Sequence, residues 1–296
     1  MIFSRRPLVV THDNHFHPDD VCAVAVLHII LKGKYRLVRT RDPKIIEKAD
    51  YVVDVGDIHD PLRQRFDHHQ KGGAGARENG IPYASFGLVW KEYGEDLTGS
   101  KDAADDIDKS VVAFADAMDN GVDLAKGSTS PVPVYSFSDF LFSWNPVWNE
   151  EQDFDRGFRV ALSYAVAMLE GEILKVQAQV MGKKITEEIY QKTEDKRIIV
   201  LDGPYPWRSV LISHPEPRFV IRPTETGVWN VKAVPVSKTS FETRISFPAE
   251  WAGLRGEELE TVSGVPGATF CHNGRFVAVT KTKEGALALA KKALGE

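Results

Sequence analysis

Apolar and polar positions alternate along the first third of the chain in blocks that predict strands and helices in turn. Residues 7–12 (PLVVTH) are a short apolar run ending on polar residues and read as a buried strand. Residues 21–31 (VCAVAVLHIIL) are apolar for eleven positions, which predicts a buried helix. Asp19 and Asp20 stand at its front, where carboxylates suit the positive end of a helix, and Gly33 ends it. Residues 35–39 (YRLVR) and 51–55 (YVVDV) read as further strands, with a short helix after Pro43. This β-α-β-α-β order predicts a parallel sheet. Ligands of such sheets gather at the carboxyl ends of the strands, and His12 and Asp54 both fall there.

Beyond this block the pattern loosens. Residues 71–82 (KGGAGARENGIP) are rich in glycine and polar side chains and predict a mobile loop. Helices are expected near 85–93 and 103–118. An irregular, apolar-rich connection follows at 127–149, with Pro131, Pro133, Pro146, Trp144 and Trp148. Helical periodicity returns over 151–192, where Gly157, Gly171 and Gly182 are possible breaks. The last hundred residues change character, with strand-like runs at 197–201, 209–213, 218–222 and 228–236. Asn273-Gly274 between two apolar runs is a strong hairpin signal, and a helix over 284–294 closes the chain. The expected organisation is an N-terminal α/β domain at 1–193 and a smaller α+β domain at 194–296.

Of the 296 residues, 43% are hydrophobic and 27% charged, enough for a sizeable globular core. A net charge of −5 argues against a protein that coats nucleic acid by charge alone. It leaves a nuclease open, because a metal cluster supplies local positive charge. The two cysteines, Cys22 and Cys271, lie far apart in apolar runs, so buried thiols and a reducing, cytoplasmic setting are expected rather than a disulfide framework. No run is long enough for a membrane span.

The histidines change the picture. Seven of nine lie in the first 69 residues: His12, His15, His17, His28, His59, His68 and His69. Such clustering points to metal binding or acid–base work. His28 sits inside the apolar helix and reads as a packing residue. In THDNHFHPDD, His12 leaves a strand and a loop returns His17 and Asp19 before the helix begins, a donor set that suits a divalent transition metal such as Mn2+. Taken alone, the stretch is equally a polar loop with capping aspartates. Asp54 lies between valines at a strand end, a costly place for a lone carboxylate. Asp67-His68-His69 has no packing rationale. One member can ligate, one orient a ligand and one face substrate. In DAMDNG (116–121), Asp116 and Asp119 are three residues apart and share a helix face.

Together these motifs resemble the DHH phosphoesterase superfamily, which includes exonucleases, oligoribonucleases and manganese pyrophosphatases. His17 departs from the usual pattern, standing where most members carry an aspartate. That departure, with VRTRDP (38–43), YVVDVGDIHDPLRQRFDHHQ and DAMDNG, is similar to the melanocyte-proliferating-gene-one family. FVIRPTETGVWNVKAVPV, WAGLRGEELETVSGVPGATFCHNGRF and KTKEGALALA extend the likeness through the C-terminal part.

The resemblance implies an α/β fold, with a parallel-sheet N-terminal domain facing a smaller domain across a cleft. It implies two divalent ions, Mn2+ or else Mg2+. His12, His17 and Asp54 would hold one, and Asp19, Asp54, His68 and Asp119 the other, with Asp116 as the alternative to Asp119. His69 would meet the phosphate or move a proton, and Asp67 would orient a histidine. RNA or an oligonucleotide is the expected substrate, with a small phosphate ester as the rival and no membrane partner. Arg39, Arg41, Ser263, Gly264, His272 and Lys281 are candidate substrate contacts. Trp144, Trp148, Trp207 and Trp229 are possible base-stacking residues. A non-catalytic metal-binding protein is the reading from a different class.

Overall fold

The computed structural model describes residues 5–122, 124, 134–240 and 242–296. Pro131 and Pro133 lie outside the described residues. The chain is α/β, with two five-stranded mixed sheets, and it divides into two compact units, Met1–Gln177 and Ala178–Glu296. No described helix is long and apolar enough to cross a membrane.

The first sheet has the order β2 (Arg36–Arg39), β1 (Leu8–Thr11), β3 (Tyr51–Val53), β5 (Arg65–Phe66) and β4 (His59–Asp60). Its first four strands are parallel, as the alternating pattern predicts, but β4 runs antiparallel to β5 and makes the sheet mixed. The reversal comes from a tight turn at Pro61–Arg63, closed by Asp60 capping Arg63 and by Gln64 in a left-handed conformation. Val10 and Val52 pack on one face of the sheet against Ile45 and Ile46 of α2 (Pro43–Lys48). On the other face lies α1 (Pro18–Ile30), in which every residue from Asp19 to Leu27 is buried. Helix α3 (Ser85–Thr98) packs on α1. The helix expected at 103–118 is α4 (Lys101–Ile107), a π-turn (Asp108–Val112) and α5 (Ala113–Asp119). Helix α6 (Phe137–Phe142) precedes the long α7 (Phe154–Lys192).

Helix α7 runs through all three glycines considered as breaks. Two of them serve close approach instead. A Cβ at Gly157 would run into the Trp144 carbonyl oxygen, and one at Gly182 into the Pro206 ring.

The second unit's sheet has the order β6 (Ile198–Val200), β7 (Phe219–Pro223), β8 (Trp229–Ala233), β10 (Val277–Thr280) and β9 (Ala268–Cys271). Alternation along β7 serves two cores. Phe219 and Ile221 join Phe247, Trp251 and Leu289, whereas Val220 joins Tyr190, Trp207 and Leu211. Residues 209–213, expected as a strand, form α8 (Arg208–Ser213). Three apolar residues are too few for periodicity to separate helix from strand, and the Leu211 amide closes a helical turn on the Trp207 carbonyl. Helices α9 (Gly256–Ser263) and α10 (Lys283–Ala293) complete the unit. Both cysteines are buried free thiols.

The Gly157 contact makes a stability prediction. Gly157→Ala forces α7 away from a backbone carbonyl that cannot yield, and overpacking of this kind costs about 1–3 kcal/mol. The midpoint of thermal unfolding should fall accordingly; an unchanged midpoint would show that the helix start shifts freely.

Candidate metal centre

Three neighbouring parallel strands end at one edge of the first sheet. His12 follows β1, Asp54 follows β3 and Asp67 follows β5. Asp54 adopts φ +54°, a left-handed backbone that aspartate, asparagine and glycine tolerate better than other residues. His17 is the N-cap of α1, with Asp19 and Asp20 in the first turn. Asp119 ends α5.

These elements bring donor atoms together in three overlapping sets, each within 4.8 Å: His12, His17 and Asp54; Asp54, His68 and His69; and Asp19, His68 and Asp119. Asp54 and His68 each belong to two sets. The other carboxylate of DAMDNG, Asp116, belongs to none and is engaged elsewhere. It accepts from Gly87 N at 3.0 Å and from Arg77 Nη1 at 2.8 Å.

Around the donors, other groups fix orientation. His12 Nδ1 lies 2.9 Å from the Asp13 carbonyl, so Nδ1 donates and Nε2 presents its lone pair to the cluster. Asp19 accepts from Ser85 N (2.9 Å) and Phe86 N (2.7 Å) at the start of α3, and Ser85 Oγ donates to Asp54 at 3.2 Å. Asp67 is buried and accepts from Asp57 N, His68 N and His69 N. It also holds His69 Nδ1 at 2.8 Å, which leaves Nε2 as the second nitrogen of that half-exposed ring.

The family model described as "MYG1_exonuc: Uncharacterised protein family (UPF0160)" matches residues 8–294. The chain belongs to this family. It is 31% identical to the human protein named MYG1 exonuclease, the match covering 98% of this chain and 86% of the human one. It is 32% identical to the MYG1 protein of Caenorhabditis elegans, covering 97% and 95%. A MYG1 protein of Chlamydia pneumoniae is 33% identical, covering 93% and 92%.

Donor chemistry and electrostatics both fit divalent cations at this family member's cluster. His68 Nε2 lies 3.2 Å from Asp119, 3.5 Å from Asp54 and 3.9 Å from Asp19. It is buried and, among the described residues, makes no aligned hydrogen bond with any of them. Asp20 Oδ2 is likewise buried without a partner, 3.4 Å from His12 Nε2. Lone pairs that converge without bonding one another are what a shared cation satisfies. The protonation pattern agrees. Burial opposes charge on His68, yet the Asp119 and Asp54 carboxylates outweigh it and push the imidazole up to about 11. Burial, with Asp54 and Asp119 nearby, raises Asp19 well above the carboxylate range. Burial pushes Asp20 up to about 7 against the pull of His12. Burial also acts on Asp54, but the His12 and His68 imidazoles beside it hold it low. Without a cation, protons stand in for the missing positive charge.

The other sequence candidates belong to none of the donor sets. Arg39 has a buried side chain that bonds Asp155 (3.0 Å) and the Asn14 carbonyl and lies over the Phe158 ring. Arg41 is exposed and pairs with Asp13 at 2.6 Å. Ser263, Gly264, His272 and Lys281 belong to the second unit. Ser263 Oγ donates to the Leu259 carbonyl, Gly264 is the left-handed cap of α9, and Lys281 is exposed. His272 Nδ1 accepts from Gly274 N inside the β9–β10 hairpin, where Arg275 rather than Gly274 takes the positive φ. His28 contacts Tyr35, His15 packs on Phe154, and His59 lies by Phe66. Trp207 is core, and Trp148 is exposed.

Sequence reasoning missed three supports. Asp20 accepts from His17 N at 2.8 Å in a capping box, a pairing that the His17-x-x-Asp20 spacing carries. Ser85 carries no local signal. Arg77 emerges from the glycine-rich segment and bonds both Asp108 and Asp116 at 2.7–2.8 Å. That segment, expected to be mobile, is thereby tied down.

Metal binding should release protons. Ligation requires neutral imidazole and ionised carboxylate, whereas the His68 imidazole, pushed up to about 11, is protonated at neutral pH in the metal-free cluster, and burial shifts Asp19 toward its protonated form. Calorimetric titration with Mn2+ in buffers of different ionisation enthalpy should therefore show net proton release and weaker binding as pH falls. Buffer-independent heats would contradict this protonation scheme.

Proposed function

We propose that this protein is a two-metal phosphoesterase of the DHH type, a 3′–5′ exonuclease or phosphodiesterase that acts on RNA or short oligonucleotides. The observation that carries this reading is the overlap of donor sets, in which Asp54 is shared between the His12–His17 and His68–His69 sets and His68 in turn belongs to the Asp19–Asp119 set. A carboxylate common to two sets is the arrangement needed to hold two ions near one phosphate. The family relatives named exonuclease support a nucleic-acid substrate.

His12, His17 and Asp54 would hold one ion, and Asp19, Asp54, His68 and Asp119 the second, with Mn2+ the metal this nitrogen-and-oxygen set suits. Bound there, such ions supply Lewis acidity toward phosphoryl oxygens and neutralise charge that develops in displacement. The chain's own groups do the positioning. Ser85 and Phe86 amides fix the Asp19 carboxylate, and Ser85 Oγ fixes Asp54. Asp67 holds His69 through Nδ1, so that Nε2 is the atom that would donate to a phosphate oxygen or carry the proton to the leaving alcohol. Two buried free thiols suit a reducing compartment, and we place the protein in the cytoplasm.

A substrate panel tests this. With Mn2+, the wild-type chain should shorten RNA from the 3′ end. His68→Ala should lower turnover more than about 100-fold, since even groups that only support a metal ligand cost 10–100-fold when lost. Activity on pyrophosphate alone would favour the small-phosphate reading. Inactivity toward RNA, dinucleotides and pyrophosphate with both Mn2+ and Mg2+ would end the enzyme reading.

A further inference from the structure

A cavity of about 280 Å3 opens beside the donor cluster, within the first unit. Two of its lining residues, His17 and Asp119, come from different donor sets. The facing wall is apolar and comes from α5 and α6: Ala115, Met118 and Phe142. Met118 is 42% and Phe142 47% exposed, unusual for large apolar side chains beside so polar a site. The Phe142 ring is nearly parallel to the His17 imidazole, with centroids 6.4 Å apart and planes at 14°. Asp139 also lines the cavity. Its Oδ2 accepts from Ser136 N and Oγ, which holds the carboxylate in place as an acceptor.

We infer that this cavity is the base subsite of the enzyme, in which Phe142 and Met118 take the nucleobase next to the phosphate held at the metal centre. The inference rests on the phosphoesterase reading and names the substrate's recognised part. Three observations carry it. First, the cavity is lined by one member of each of two donor sets, His17 and Asp119, so a nucleotide whose phosphate sits at the cluster has its sugar and base within reach of this wall. Second, the wall offers one aromatic face and a thioether, surfaces that accept the π-face of any base. Third, the volume lies just under the range of pockets for small organic ligands, which suits one ring system and not a dinucleotide. The Asp139 carboxylate at the rim favours bases that present an amino or imino donor.

The alternative role for Phe142 is to buttress His17 alone, and binding measurements separate the two. Adenosine 5′-monophosphate and ribose 5-phosphate share phosphate and sugar and differ in the base. Their affinities for the Mn2+-loaded full chain give a ratio that isolates the base. Wild type should prefer the nucleotide about tenfold, in line with the worth of one stacked base. Phe142→Ala should bring the ratio close to one, and Phe142→Trp should restore it. A wild-type ratio near one, or a ratio that Phe142→Ala leaves as it was, overturns the subsite. RNA turnover measured alongside keeps the two readings apart. Turnover without base preference leaves the phosphoesterase standing and removes the subsite. Base preference that depends on Phe142 but comes without turnover on any phosphate ester keeps the subsite and removes the catalytic reading.

Discussion

Asp19, Asp20 and Asp54 are withdrawn from water within a few ångströms of one another, and the first unit is arranged around the consequences. An ionised carboxylate taken from water costs several kcal/mol unless hydrogen bonds and opposite charge offset it. Here the offset comes from two directions. From the protein side, amides at the start of α3 bond Asp19 and Asp116, and the Ser85 hydroxyl bonds Asp54. From the open side, imidazoles from His12, His17 and His68 face the same oxygens. The second contribution is conditional: a ring nitrogen that presents a lone pair meets a carboxylate only once it is protonated or shares a metal with it.

The same arrangement explains the layout of the surrounding chain. Parallel strands present their carboxyl ends together, and three of them deliver His12, Asp54 and Asp67. The glycine-rich segment then places Arg77 against Asp116 and Asp108. Burial raises Asp116 to about 6 against the pull of Arg77. Arg77 thus connects a surface loop, the π-turn and the support of α3. Gly87 is small for the same reason, since a Cβ there would collide with the Asp116 carboxylate.

Much of this could be read from the sequence, and the parts that could not share a cause. β1, α1, β2, α2 and β3 follow from local patterning, because long apolar runs with clear stops leave one assignment. His12, His17, Asp54 and His68 stood out because each is a polar residue where packing gives no reason for one. The misreadings came where local signals were short or where the partner is distant in sequence. The run at 209–213 had too few residues to reveal its period. Arg77 looked like part of a flexible loop because its partners lie about 30 and 40 residues further on. Ser85 is an ordinary serine until α3 is laid against Asp19 and Asp54. The glycines of α7 looked like breaks, but Gly157 and Gly182 are clearances for neighbouring chain.

The left-handed backbone at Asp54 limits what could replace it. Asparagine tolerates that conformation almost as well, and glycine tolerates it freely, whereas alanine and branched residues are strained there. The first neutral replacement open to the position is therefore an amide of the same shape, which keeps the fold and removes the shared charge. A single codon change at this position is therefore enough to strip charge from the cluster while the strand ends stay as they are.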